Sequence, residues 1–72
     1  MVDIKTLKQT MTARGWTVEK LSEAIGIDRA TLFRRFQNNG QDFTVEEVNS
    51  VVSALKLSRE EAHSIFFPDQ VA

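Results

Sequence analysis

The 72-residue chain has no cysteine, one histidine, one proline and three glycines. Without cysteine there are no disulfide staples and no thiolate metal sites. A single histidine, His63, excludes the usual His-rich zinc centres and leaves little from which to build a Ser-His-Asp or Cys-His nucleophile. His63 itself reads as an exposed polar residue of the last helix. No metal, cofactor or catalytic residue is therefore expected, and the chain does not read as an enzyme. No stretch approaches the roughly 18 consecutive apolar residues of a membrane span. The segment MVDIKTLKQT lacks the apolar centre of a signal peptide. Both absences predict a soluble, cytoplasmic protein with no membrane partner. A domain this short and without staples needs a well-organised helical core or a partner subunit.

An excess of positive charge is also missing. Nine Lys and Arg face ten Asp and Glu, a net charge of −1, and nucleic-acid binders are typically basic. The total hides a polarity, however. Residues 1–40 hold Lys5, Lys8, Arg14, Lys20, Arg29, Arg34 and Arg35 against Asp3, Glu19, Glu23 and Asp28, a net +3. Residues 41–72 hold Lys56 and Arg59 against Asp42, Glu46, Glu47, Glu60, Glu61 and Asp69, a net −4. Such asymmetry points to one anion-facing surface or to ordinary surface charge.

What is present is a repeated helix-start signature. An apolar residue precedes a capping residue, and another apolar residue follows the cap by four. The starts are Val2-Asp3 with Leu7, Trp16-Thr17 with Leu21, Ile27-Asp28 with Leu32, Phe43-Thr44 with Val48, and Leu57-Ser58 with Ala62. The cap oxygen satisfies an orphan backbone N–H and the apolar pair pins the entering chain. Thr44 with Glu47 and Ser58 with Glu61 complete capping boxes. The stops agree: Gly15, Gly26 and Asn38-Asn39-Gly40 follow the first three helices, and Pro68 blocks the fifth. The pattern predicts an all-α domain of five helices, about 3–14, 17–25, 28–37, 44 to 55 or 56, and 58–66. The domain spans 1–67, and 68–72 form a short tail. Ile4, Leu7 and Met11; Leu21, Ala24 and Ile25; Leu32 and Phe36; Val48, Val51, Val52 and Leu55; and Ala62, Ile65 and Phe66 supply one apolar stripe per helix. Trp16 reads as a core staple against Leu21 rather than a stacking platform.

Only Gly26-Ile27-Asp28 separates the second and third helices. So short a turn forces a steep crossing and leaves the third helix projecting, the geometry that places a recognition helix in a major groove. The segment from Thr17 to Phe36, TVEKLSEAIGIDRATLFRRF, resembles the helix-turn-helix of the lambda-repressor-like family, the Cro and repressor proteins of phages and their bacterial relatives. The helix-turn-helix covers about residues 17–37, and five helices in about this length are also what the family has. The later FT-x-EE, L-x-L-S-x-EE and IFF segments resemble small prophage regulators of Gram-positive bacteria. Three positions depart from the family pattern. Val18 stands where the family usually has a phosphate-clamping Gln, so that only backbone N–H groups at this helix start remain for a phosphate. Ser22 replaces the usual Ala. Arg35-Phe36 shifts the core residue to Phe36 and frees Arg35 for the surface.

The resemblance implies a sequence-specific regulator of transcription, a repressor of phage or prophage origin that binds an operator in double-stranded DNA. By position in the family motif, Arg29, Ala30, Phe33 and Arg34 meet base edges. Either arginine can bond guanine O6 and N7, and Ala30 and Phe33 can pack on thymine methyls. Phe33 lies beside the Leu32 stripe and is divided between core and base. Thr17, Val18, Thr31, Arg35, Gln37, Asn38 and Asn39, with Gln41, are the expected phosphate contacts, which position without reading sequence. Thr31 alternatively bonds the preceding turn. Lys5, Lys8, Arg14 and Lys20 are weaker phosphate candidates. Family members bind as two-fold dimers through the C-terminal part, which here offers Phe66, Phe67 and Val71 to a weak homodimer. The competing reading is a modulator that uses the same fold to bind another repressor protein.

Overall fold

The computed structural model describes residues 1–70. Among these residues there are five helices and no strand: α1 (Ile4–Ala13), α2 (Val18–Ile25), α3 (Arg29–Gln37), α4 (Val45–Leu55) and α5 (Arg59–Phe66). Each begins where the sequence places a cap. Asp3, Thr17, Asp28, Thr44 and Ser58 all accept a hydrogen bond from a backbone N–H three residues on. Both expected capping boxes are closed, with Glu47 and Glu61 reaching back to the N–H groups of Thr44 and Ser58. Val71, expected at a dimer contact, lies outside the described residues.

The stripes meet in one core of Leu7, Met11, Leu21, Leu32, Phe36, Val51, Leu55, Leu57, Ile65 and Phe66. Each large side chain so buried contributes roughly 1.5–3 kcal/mol. α2 packs on α4 and α3, and α1 packs on α5. Phe43 sits between Phe36 and Phe66, with ring centroids 6.3 and 6.1 Å away, and links α3 to α5. The backbone N–H of Asp3 donates to the carbonyl of Ile65 at 2.7 Å, which fastens the start of α1 to the end of α5. Trp16 is partly buried against the core, its backbone N–H bonded to Met11 O.

Four expectations are corrected. Ala24 is exposed and Ser22 is buried, because the face of α2 turned inward is Leu21-Ser22-Ile25; Ala24 only borders the seam with α4 beside Ser50 and Ser53. The Ser22 hydroxyl donates to the carbonyl of Glu19 at 2.8 Å, so its burial leaves no group unsatisfied. Phe66 is buried in the core, packed edge-on against Phe43, and is not free for a second copy. Arg14 is tied up structurally. Its guanidinium donates to the carbonyl of Leu55 at 2.8 Å and to Glu61 at 2.6 Å, bridging α1, the end of α4 and the start of α5. Arg35 is not freed to the surface: it is partly buried against α4, as its partner there makes clear below.

Two backbone positions need special residues. Gly26 ends α2 in the left-handed conformation (φ 75°), and the N–H groups of Gly26 and Ile27 both return to Ser22 O. Gly40 also has positive φ (72°), and a Cβ there would lie 2.6 Å from the Cβ of Val2. It therefore admits no side chain.

Candidate nucleic-acid interface

α2 supplies the supporting half of the site and α3 the presenting half. Leu21 and Leu32 are wholly buried, with Ile25 and Ile27 packed against the same core, so the angle between the helices is set by apolar contact. The Asp28 cap starts α3 at a defined residue. Its carboxylate accepts from the Thr31 N–H at 3.1 Å and from the Thr31 hydroxyl at 3.0 Å. Those bonds, the hydroxyl's first, hold the Asp28 carboxyl below the usual carboxylate range. Thr31 thus bonds the preceding turn, as one of its two expected readings has it.

With α3 so oriented, Arg29, Ala30, Phe33 and Arg34 come to one side. They border a shallow, largely apolar depression of about 570 Å³, and Val18 of α2 forms its far wall. Phe33 is 52% exposed, so it lies on this face and not in the core. Leu32 and Phe36 take the buried positions of α3 instead. Arg29 reaches across to Glu19 of α2 at 2.7 Å, an exposed pair that costs little to exchange for another anion or acceptor. Among the described residues Arg34 makes one side-chain hydrogen bond, at 3.3 Å to the Thr31 hydroxyl. The four residues expected to meet bases are thus brought together.

The residues expected on phosphate are more scattered. Thr17 caps α2 through Lys20 N, and the Lys20 ammonium lies 4.8 Å from the centroid of the Trp16 ring. Arg35, Gln37 and Asn38 gather with Arg34 and Asp42 around a second, polar depression of about 370 Å³ at the end of α3. Here the polar groups already have partners. Arg35 donates to both oxygens of Glu47, at 3.1 and 3.3 Å, and Asn38 donates to Asp42 at 2.6 Å. The Arg35–Glu47 pair is largely sheltered, and Arg35 holds the Glu47 carboxyl below the usual range. Sequence reasoning missed this pair and the Arg14 bridge. Both join residues far apart in the chain, where helical periodicity carries no signal. Asn39 and Gln41 lie exposed in the connection to α4. At the far end, Phe67 is 51% exposed beside a small apolar hollow between α4 and α5 that includes Val48, Val52 and Ala62. No helix of the described residues is long and apolar enough to cross a membrane.

A helix-turn-helix family model matches residues 7–61, from the first buried residue of α1 to the first turn of α5. No curated protein and no solved structure matches the chain at a significant level. The matched span is well over half of the chain and is centred on α2 and α3. Together with the exposed face of α3, it places this chain in the lambda-repressor-like helix-turn-helix family of DNA-binding regulators.

Proposed function

We propose that this protein is a sequence-specific transcriptional repressor of the Cro type, from a phage or prophage, that reads operator DNA in the major groove with α3. The observation that carries the reading is the gathering of Arg29, Ala30, Phe33 and Arg34 on the one face of α3 that the core leaves open. Arg29 and Arg34 supply the planar forks that suit guanine O6 and N7. Among the described residues they bond an exposed carboxylate and a hydroxyl, both of which can be exchanged. Phosphate positioning falls to Thr17, Gln37, Asn39 and the backbone N–H groups at the start of α2. Arg35 and Asn38 contribute less, since each already has an acidic partner. Two copies bind a two-fold operator as a weak homodimer, with the exposed Phe67 and its hollow the candidate contact and Val71, further along the sequence, a second candidate.

Selection from a random duplex pool, followed by titration of the selected site, tests the reading. The expected result is one enriched motif with two-fold symmetry and an affinity that falls steeply with salt as phosphate contacts release counterions. No enrichment, together with capture of a tight protein partner, would replace the reading with that of a modulator of another repressor.

A further inference from the structure

An arginine fork suits a phosphate as well as it suits guanine, so the chemistry of Arg29 and Arg34 does not by itself favour a base over the DNA backbone. The two differ in what lies beside them. Arg34 borders both the apolar depression and the polar one at the end of α3, and its bond there is to a hydroxyl. Arg29 has acids for neighbours. Its Nη1 donates to Glu19 Oε2 at 2.7 Å, and Asp28 precedes it in the chain. It is also the first residue of α3, where the helix dipole disfavours a cation. Glu19 comes from the first turn of α2, so the pair joins the openings of the two helices. Both side chains are 67% exposed, and such a pair adds little to stability.

The contact with Glu19 uses Nη1, so Nε and Nη2 still have N–H groups to offer. An uncharged base edge can accept from them while Glu19 stays in place. A phosphate that accepts from them brings its charge against the Glu19 carboxylate. A phosphate that displaces the carboxylate from Nη1 leaves two anions side by side. We infer that Glu19 is a positioning residue that reserves Arg29 for base edges by repelling phosphate, and so lowers binding to non-operator DNA without lowering binding to the operator. The inference rests on the DNA-binding reading above and adds what holds that site off the backbone. An acid beside the reading face then has a use in a chain already short of positive charge. It raises the ratio of operator to other DNA, the quantity that decides occupancy among many competing sites. Arg34, which borders the polar depression as well, serves either ligand.

The test titrates the full chain, over a series of salt concentrations, with a duplex selected from a random pool and with a scrambled duplex of the same composition. Glu19→Gln keeps the size of the side chain and removes its charge. Affinity for the scrambled duplex is expected to rise about fivefold, the effect of one like charge at close range in water. The slope of log affinity against log salt is expected to steepen by about 0.9 on that duplex, as Arg29 takes one more phosphate. Affinity for the selected duplex should change little, so the ratio of the two falls. Glu23→Gln removes an equal charge from an exposed position of the same helix and should move both affinities together. Adding Arg29→Ala to Glu19→Gln should return the slope to that of the unsubstituted protein. A purely structural role for Glu19 would lower the denaturation midpoint and leave ratio and slope alone. The inference is overturned by an unchanged ratio in Glu19→Gln, by an equal fall in Glu23→Gln, or by a steeper slope that persists without Arg29. A pool that yields no bound duplex removes the DNA-binding reading itself, so the two failures are distinct.

Discussion

At its amino-terminal end α3 shows Arg29, Ala30, Phe33 and Arg34 around an apolar hollow, with few competing partners. At its carboxyl-terminal end the same helix has Arg35 and Asn38, each already held by an acidic side chain from beyond the helix. The residue types are similar and the environments are opposite. α4 and its approach lie beside the second end and bring Asp42 and Glu47, whereas the acids at the first end, Glu19 of α2 and the cap residue Asp28, are both exposed. One end of α3 is thereby anchored and the other is left open to read. Within a sequence of net charge −1, the functional variable is which arginines have been neutralised internally.

The sharpest way to separate the ends is to compare a core residue with a face residue. Phe36→Ala removes a ring that is 4% exposed and should cost about 3–5 kcal/mol of folding stability. In contrast, Arg34→Ala should leave the denaturation midpoint nearly unchanged. It should cost about 1–3 kcal/mol of specific binding while most non-specific binding remains. Equal loss of stability in both variants would show that the face is part of the scaffold.

The anchored end is tested by Glu47→Ala, which opens the pair with Arg35 and one arm of a capping box. About 1–2 kcal/mol of stability should be lost, with operator discrimination unchanged. The sign of its pH dependence follows from the lowered Glu47 carboxyl. A carboxyl depressed in the folded state stabilises fully above its unfolded value of about 4.3 and loses that contribution as pH falls through the lower folded value. Wild-type stability should decline from about pH 5 downward, and the decline should be shallower in the variant. Parallel pH profiles for the two proteins would mean that the pair contributes nothing.

The sequence announces the helices because helix starts are local events. Thr44 with Glu47 and Ser58 with Glu61 carry their whole geometry within four residues, and both boxes close as read. The open face of α3 was legible for a related reason, since Leu32 and Phe36 claim the inward side by spacing alone. What escaped depends on distant partners. Nothing near Arg35 in the chain points to Glu47, and nothing near Arg14 points to Leu55 and Glu61. Ser22 and Ala24 are both small, so periodicity does not decide which one turns inward. The end of α4 falls where the sequence places it, but its backbone was not legible: Lys56 takes a left-handed conformation (φ 54°) where three other turns have glycine.

That corner has a consequence in time. The α2–α3 turn is closed by its own residues, with Gly26 free to adopt its conformation at once. The α4–α5 corner imposes an unfavourable conformation on Lys56, and the carbonyl just before it is satisfied by Arg14, 41 residues away. It should therefore settle only when α1 has docked, after the helix-turn-helix has formed. Removing the bridge by Arg14→Ala should accelerate unfolding and leave the folding rate nearly unchanged in stopped-flow measurements. A slowed folding rate would instead place this corner in the nucleus.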